Sequence, residues 1–126
     1  MSQVSALKIL KIEGRGDAKN ERLYLSVLKD CDIGVYIILD STKDESGELS
    51  DIFRHALVLP DIEVEGGDIV IVHTWPGEYK KERLDSGRWA HNVHWGSKSS
   101  IWNDDGDSAF LIKIAEASAF KYGGIS

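Results

Sequence analysis

The sequence predicts an all-β fold, a β-sandwich of about eight strands, and three observations predict it. Short apolar segments recur along the chain, several with the period of two that a half-buried strand shows. Clusters of Gly, Asp, Asn and Ser separate them at intervals of about ten residues, the spacing of turns in sandwiches. No segment keeps a 3.6-residue apolar period over the length of a helix, so a helical or alternating α/β fold is excluded.

Leu7 to Ile12 is an apolar strand whose alternation slips by one residue between Ile9 and Leu10, as a bulge or two-sided burial produces. Gly14-Arg15-Gly16-Asp17 superficially resembles a phosphate loop, but it lacks the lysine and the following helix and reads as a turn. Leu23, Leu25 and Val27 alternate with Arg22, Tyr24 and Ser26, which marks a strand with one wet face. Val35 to Leu39 follows at hairpin distance and is apolar on both faces, a pattern that belongs near the centre of a sheet.

Asp40 to Asp51 is a polar surface loop. Residues 53 to 59 fit a strand or a short helix capped by Ser50; the strand is preferred because Val58-Leu59-Pro60 reads as extended. Ile69 to Trp75 is the strongest core strand, entered through Gly66-Gly67-Asp68 and ended by Trp75-Pro76-Gly77. A long connection, Gly77 to Gly87, leads to strands at Trp89 to Trp95, Ser97 to Ser100, Ile101 to Asn103 and Ala109 to Ala115. The last two are expected to form a hairpin closed by Asp105-Gly106, a pair suited to the positive φ values of a tight turn. Tyr122 to Ser126 reads as a loose tail.

Three of these segments together resemble lamin-tail domains, a family of immunoglobulin-like β-sandwiches. Trp102-Asn103, followed by Gly106-Asp107 and a hydrophobic strand, is similar to the family's closing signature. Asn20-Glu21 before Leu23, Leu25 and Val27, and Gly66-Gly67-Asp68 before Ile69 to Val72, are similar to its earlier motifs in the same order. The resemblance covers about residues 6 to 115; the Gly-Trp element that usually follows the middle strand is absent, and Asp40-Ser41-Thr42 stands there instead. The resemblance implies a scaffold or adaptor that binds protein or chromatin partners, by self-association or with a separate molecule.

At 126 residues the chain suits a single domain, long enough to close a core without disulfides or metal. The net charge of −6 argues against nucleic acid as a partner, because phosphate neutralisation needs a basic surface. The lone cysteine, Cys31, allows no internal disulfide, and the sequence offers neither a signal-peptide pattern nor an apolar run of membrane-spanning length. A cytoplasmic protein with no membrane attachment is expected.

Three constellations carry candidate chemistry. His73, His91 and His94 could ligate a metal for binding or hydrolysis, yet in a strand His91 and His94 project to opposite faces, so structural or surface roles are preferred and no metal or cofactor is expected. Asn103, Asp104, Asp105 and Asp107 could hold calcium, but the frame fails both EF-hand anchor positions and turn chemistry is the preferred explanation of these residues. The third is aromatic and basic. Trp75, Tyr79, Lys80, Lys81, Arg83 and Trp89 gather in one stretch and are the expected partner-binding residues. Trp102 is placed in the core, Trp89 and Trp95 share a strand face with Val93 and are assigned there too, and Trp75 remains open between core and surface. A carbohydrate or nucleic-acid platform on Trp75, Trp89 and the Lys80 to Arg88 loop is the third functional alternative. No nucleophile sits in a known catalytic frame, so a non-enzymatic protein-binding module is the leading expectation.

Overall fold

The computed structural model describes residues 6–41, 55–102, 108–116 and 118. Among these residues there is no α-helix, and ten strands build an all-β sandwich. The larger sheet contains β1 (Leu7–Glu13), β2 (Arg22–Val27), β7 (Ile69–His73), β9 (Trp89–His94) and β8 (Lys80–Arg83), in that spatial order. The smaller sheet contains β10 (Ser108–Lys113), β4 (Tyr36–Ser41) and β5 (Ala56–Val58). A short ladder joins β3 (Cys31–Asp32) to β6 (Glu63–Val64).

Period-two patterning sets the inner faces. Leu23, Leu25 and Val27 of β2, Val70 and Val72 of β7 and Val93 of β9 are buried, as are Tyr36 and Ile38 of β4 from the facing sheet. Each such aliphatic side chain stabilises the fold by roughly 1.5–3 kcal/mol through the apolar surface it removes from water. Ile101 and Trp102, both 0% exposed, fill the same core. Ile9 and Lys11 straddle a register shift in the β1–β2 ladder, so Leu10 is the extra residue of a bulge and stands 51% exposed. The two-faced segment is indeed central, with β4 between β10 and β5.

Several expectations need correction. Val35 to Leu39 does not form a hairpin with the preceding strand: β2 pairs with β1 and β7, while β4 crosses to the other sheet after a single 3₁₀ turn, Ile33–Val35. Residues 97–102 are not strands; Ser97 and Ser99 close a local turn through the Ser97 hydroxyl, and Ile101 and Trp102 lie in a bend. β10 therefore pairs along β4 rather than back onto residues 101–103. The reason is that Glu21 takes up the Ile101 and Trp102 amides, which a hairpin partner would otherwise have bound.

The strand reading of residues 53 to 59 holds for Ala56 to Val58. Most of the loop from Asp40 to Asp51, the turn carrying Asn103, Asp104, Asp105, Gly106 and Asp107, and the tail from Tyr122 lie outside the described residues. Among the described residues no helix is long and apolar enough to cross a membrane.

Candidate functional site

The connection expected between Gly77 and Gly87 contains a strand instead. β8 pairs antiparallel with β9, and all four of its residues are exposed at the edge of the larger sheet. Gly87, at φ +89, turns the chain back, with the Leu84 amide donating to the Arg88 carbonyl at 2.8 Å. That bond sets the phase of the ladder. Glu82 and Lys80 direct their backbone groups toward β9, so the N–H and C=O of Lys81 and Arg83 face the edge of the sheet, where no other described strand pairs with β8.

Side chains follow the same alternation. Arg83 stands opposite Trp89 and Lys81 opposite His91, and both cations lie over the Trp89 ring, at 5.3 and 4.5 Å from its centroid. Trp89 is accordingly half-buried under charged side chains rather than in the core, a correction to its expected placement. Trp95 is also half-buried, but it packs on the core and meets Trp102 edge-on at 5.6 Å.

Two expected contact residues fall away from this cluster. Lys80 pairs with Asn92 and projects from the opposite face of the sheet. Trp75 follows the end of β7, whereas Trp89 opens the parallel neighbour β9, so the two rings belong to opposite ends of the sheet, roughly 20 Å apart along the strands. Trp75 is half-buried with Lys19 at 5.3 Å from its ring.

Tyr79 leads inward. Its hydroxyl meets His91 Nδ1 at 2.8 Å, and His91 Nε2 meets Asp68 Oδ2 at 2.9 Å. Asp68 also accepts the amides of Glu65 at 3.0 Å and Trp89 at 3.1 Å. It is aimed by the Gly66-Gly67 turn, where Gly67 holds φ +97 against the Arg88 side chain, a conformation most other residues resist. Burial alone pushes the Asp68 carboxyl up, but the His91 hydrogen bond and the two amides outweigh it and hold the group below its ordinary value. The carboxylate is thus ionised and acceptor-only. His91 must then donate from Nε2, and its Nδ1 accepts the Tyr79 proton when the ring is neutral.

A second buried carboxylate, Glu21, has a different surrounding. Oε1 accepts the Thr74 hydroxyl at 2.7 Å and the Ile101 amide at 2.6 Å; Oε2 accepts the Trp102 amide at 3.1 Å and the Gly16 amide at 3.2 Å. This cluster binds three loops together at one end of the sandwich.

The three histidines are divided by the sheet. His73 and His94 are register partners on the outer face, their rings stacked at 4.8 Å, while His91 faces inward to Asp68. Among the described residues no three His, Cys, Asp or Glu side chains are grouped so as to hold a metal ion. The pairing of His91 with Asp68 spans 23 residues and has no local sequence signal; only the Gly-Gly-Asp entry to β7 marked one member. No family model, curated protein or solved structure matches this chain.

Proposed function

We propose that this chain is a non-enzymatic, lamin-tail-like β-sandwich module, a cytoplasmic scaffold that binds another protein by receiving an extended segment along β8. The single observation that carries the reading is the open edge itself: the backbone groups of Lys81 and Arg83 are directed outward, beside two cations held over Trp89. Charge chooses the kind of partner. A second copy paired edge to edge in antiparallel fashion would set Lys81 and Arg83 against the same cations, an arrangement that repels. An acidic strand from a different protein meets complementary charge instead.

A fluorescent decapeptide of alternating Glu and Val tests this by polarisation. Binding is expected to weaken with salt and to drop by about tenfold or more in Lys81→Glu/Arg83→Glu. Arg83→Pro removes an outward N–H without taking a bond from the β8–β9 ladder, so it should abolish binding while the melting temperature is kept. No binding by the unmodified protein, or binding indifferent to both variants, would overturn the assignment.

A further inference from the structure

Tyr79, His91 and Asp68 place a hydroxyl, an imidazole and a carboxylate in hydrogen-bonded sequence, at 2.8 and 2.9 Å. The carboxylate and imidazole are buried, with side chains 2% and 4% exposed, while Tyr79 is 43% exposed. This is the order in which a general base activates an oxygen nucleophile: the carboxylate fixes the tautomer and stabilises the imidazolium, and the imidazole takes the proton. We propose that Tyr79 is a covalent acceptor site, a phenol that takes an acyl group from an activated ester with His91 as its base. It does not depend on whether β8 receives a partner.

The step balances within the named groups. The Tyr79 oxygen bonds to the carbonyl carbon as its O–H proton passes to His91 Nδ1. The ester C–O bond breaks and the leaving phenolate carries away the electron pair. Asp68 stabilises the resulting imidazolium through Nε2, and that proton is later lost to solvent. The product is an aryl ester on Tyr79, one per chain.

The other described tyrosines differ at the points that matter. Tyr36 is fully buried, and its hydroxyl has no hydrogen-bond partner among the described residues. Burial and the neighbouring Glu13 carboxylate raise the Tyr24 phenol above its ordinary value, and Lys11 lies 4.7 Å from its ring, so its neighbour is a carboxylate rather than an imidazole. Burial and the Asp68 charge push the Tyr79 phenol above its ordinary value, which keeps it protonated near neutral pH and makes its reactivity depend on His91. Among the described residues, the charged groups beside His91 are Asp68 at the entry to β7 and its register partner Lys81 on β8, with Arg83 one position further along the same face, opposite Trp89.

The probe is 4-nitrophenyl acetate, with acetylated positions mapped by mass spectrometry and aryl esters separated from lysine amides by their cleavage with hydroxylamine. Tyr79 is expected to acylate at least about a hundredfold faster than Tyr24, the low end of what a positioned base supplies. His91→Gln should bring the two rates together. Should that variant fold poorly, the unmodified protein decides by its pH profile. A base-assisted rate at Tyr79 levels off once the base has lost its proton, below the phenol range, whereas an unassisted phenol keeps accelerating toward pH about 10. A purely structural network leaves no such plateau. Equal rates at Tyr79 and Tyr24, or a Tyr79 rate that climbs through the phenol range, would overturn the proposal.

Discussion

Glu21 and Asp68 are both carboxylates buried to within 2% of full enclosure, and they are used in opposite ways. Among the described residues, the four hydrogen bonds that the Glu21 carboxylate accepts come from three backbone amides and the Thr74 hydroxyl. Asp68 accepts two amides, but its remaining bond goes to an imidazole, which passes the connection to a half-exposed phenol. The donor makes the difference. A backbone amide does not give up its proton at ordinary pH, so the Glu21 cluster can only fasten loops together. An imidazole can accept a proton at one nitrogen while donating from the other, so the Asp68 chain places a proton-accepting group against a surface phenol.

The largest effect should come from breaking the fastening side. Glu21→Ala leaves four donors without their acceptor, and at about 1–3 kcal/mol for a buried unsatisfied group the loss should reach roughly 5 kcal/mol or abolish folding. Denaturant unfolding checks it, and a melting curve like that of the unmodified protein would show that the cluster does not hold the loops. Trp102→Ala retains the amide that Glu21 binds but removes a fully buried ring, for about 3–5 kcal/mol. Trp75→Ala, at a half-buried position, should cost well under half as much.

Asp68→Asn sharpens the contrast because the relay ends at a proton rather than an amide. Asparagine offers an acceptor at only one of the two oxygen positions, so a donor now bound by Asp68 loses its acceptor, and the charge that would stabilise an imidazolium at His91 is gone. A stability loss of about 1–3 kcal/mol is expected, together with loss of the preferential acylation of Tyr79. Preference retained in Asp68→Asn would show that the carboxylate does not position the imidazole.

A smaller effect belongs to the outer histidines. Burial holds the His73 imidazole below its ordinary value of 6.5, with His94 and Arg22 adding to the depression and the Asn92 hydrogen bond opposing it. The folded chain then binds that proton less readily than the unfolded chain. Stability from this source is complete above pH 6.5 and declines as the pH falls below it toward the lowered folded value. His73→Gln should flatten that part of the profile, measured by urea midpoints between pH 7 and pH 5. The least change is expected from Lys81→Ala, since an exposed cation over a half-buried ring contributes about 0.5–1 kcal/mol. A double-mutant cycle with Trp89→Leu isolates it.

The sandwich was readable because its main strands announce themselves locally. Alternation at Leu23, Leu25 and Val27 and the β-branched run at Ile69 to Val72 each specify a strand and its buried face without help from distant residues. The slip at Leu10 marked a real bulge for the same reason. β8 was missed because Lys80, Lys81, Glu82 and Arg83 are charged on both faces, which removes the periodic signal; only pairing with β9 makes them a strand. The predicted hairpin at Trp102 failed because a turn signal says nothing about which acceptor claims the preceding amides, and Glu21, 80 residues from Ile101, claims them.

By itself, then, the sequence determined the all-β class, the inner faces of the principal strands, the burial of Trp102 and the division of His91 from His94 across the sheet. The strand faces and the division of the histidines depend on period two, a property of the extended backbone that nearest neighbours reveal, whereas Trp102 is buried from a bend rather than from the expected hairpin. The tertiary structure decided that Lys81 and Arg83 share a face with Trp89 while Lys80 and Trp75 do not, that Glu21 joins three loops, and that Asp68 reaches Tyr79 through His91. Each depends on which strands become neighbours, and the parallel β7–β9 register brings together groups that no local pattern connects.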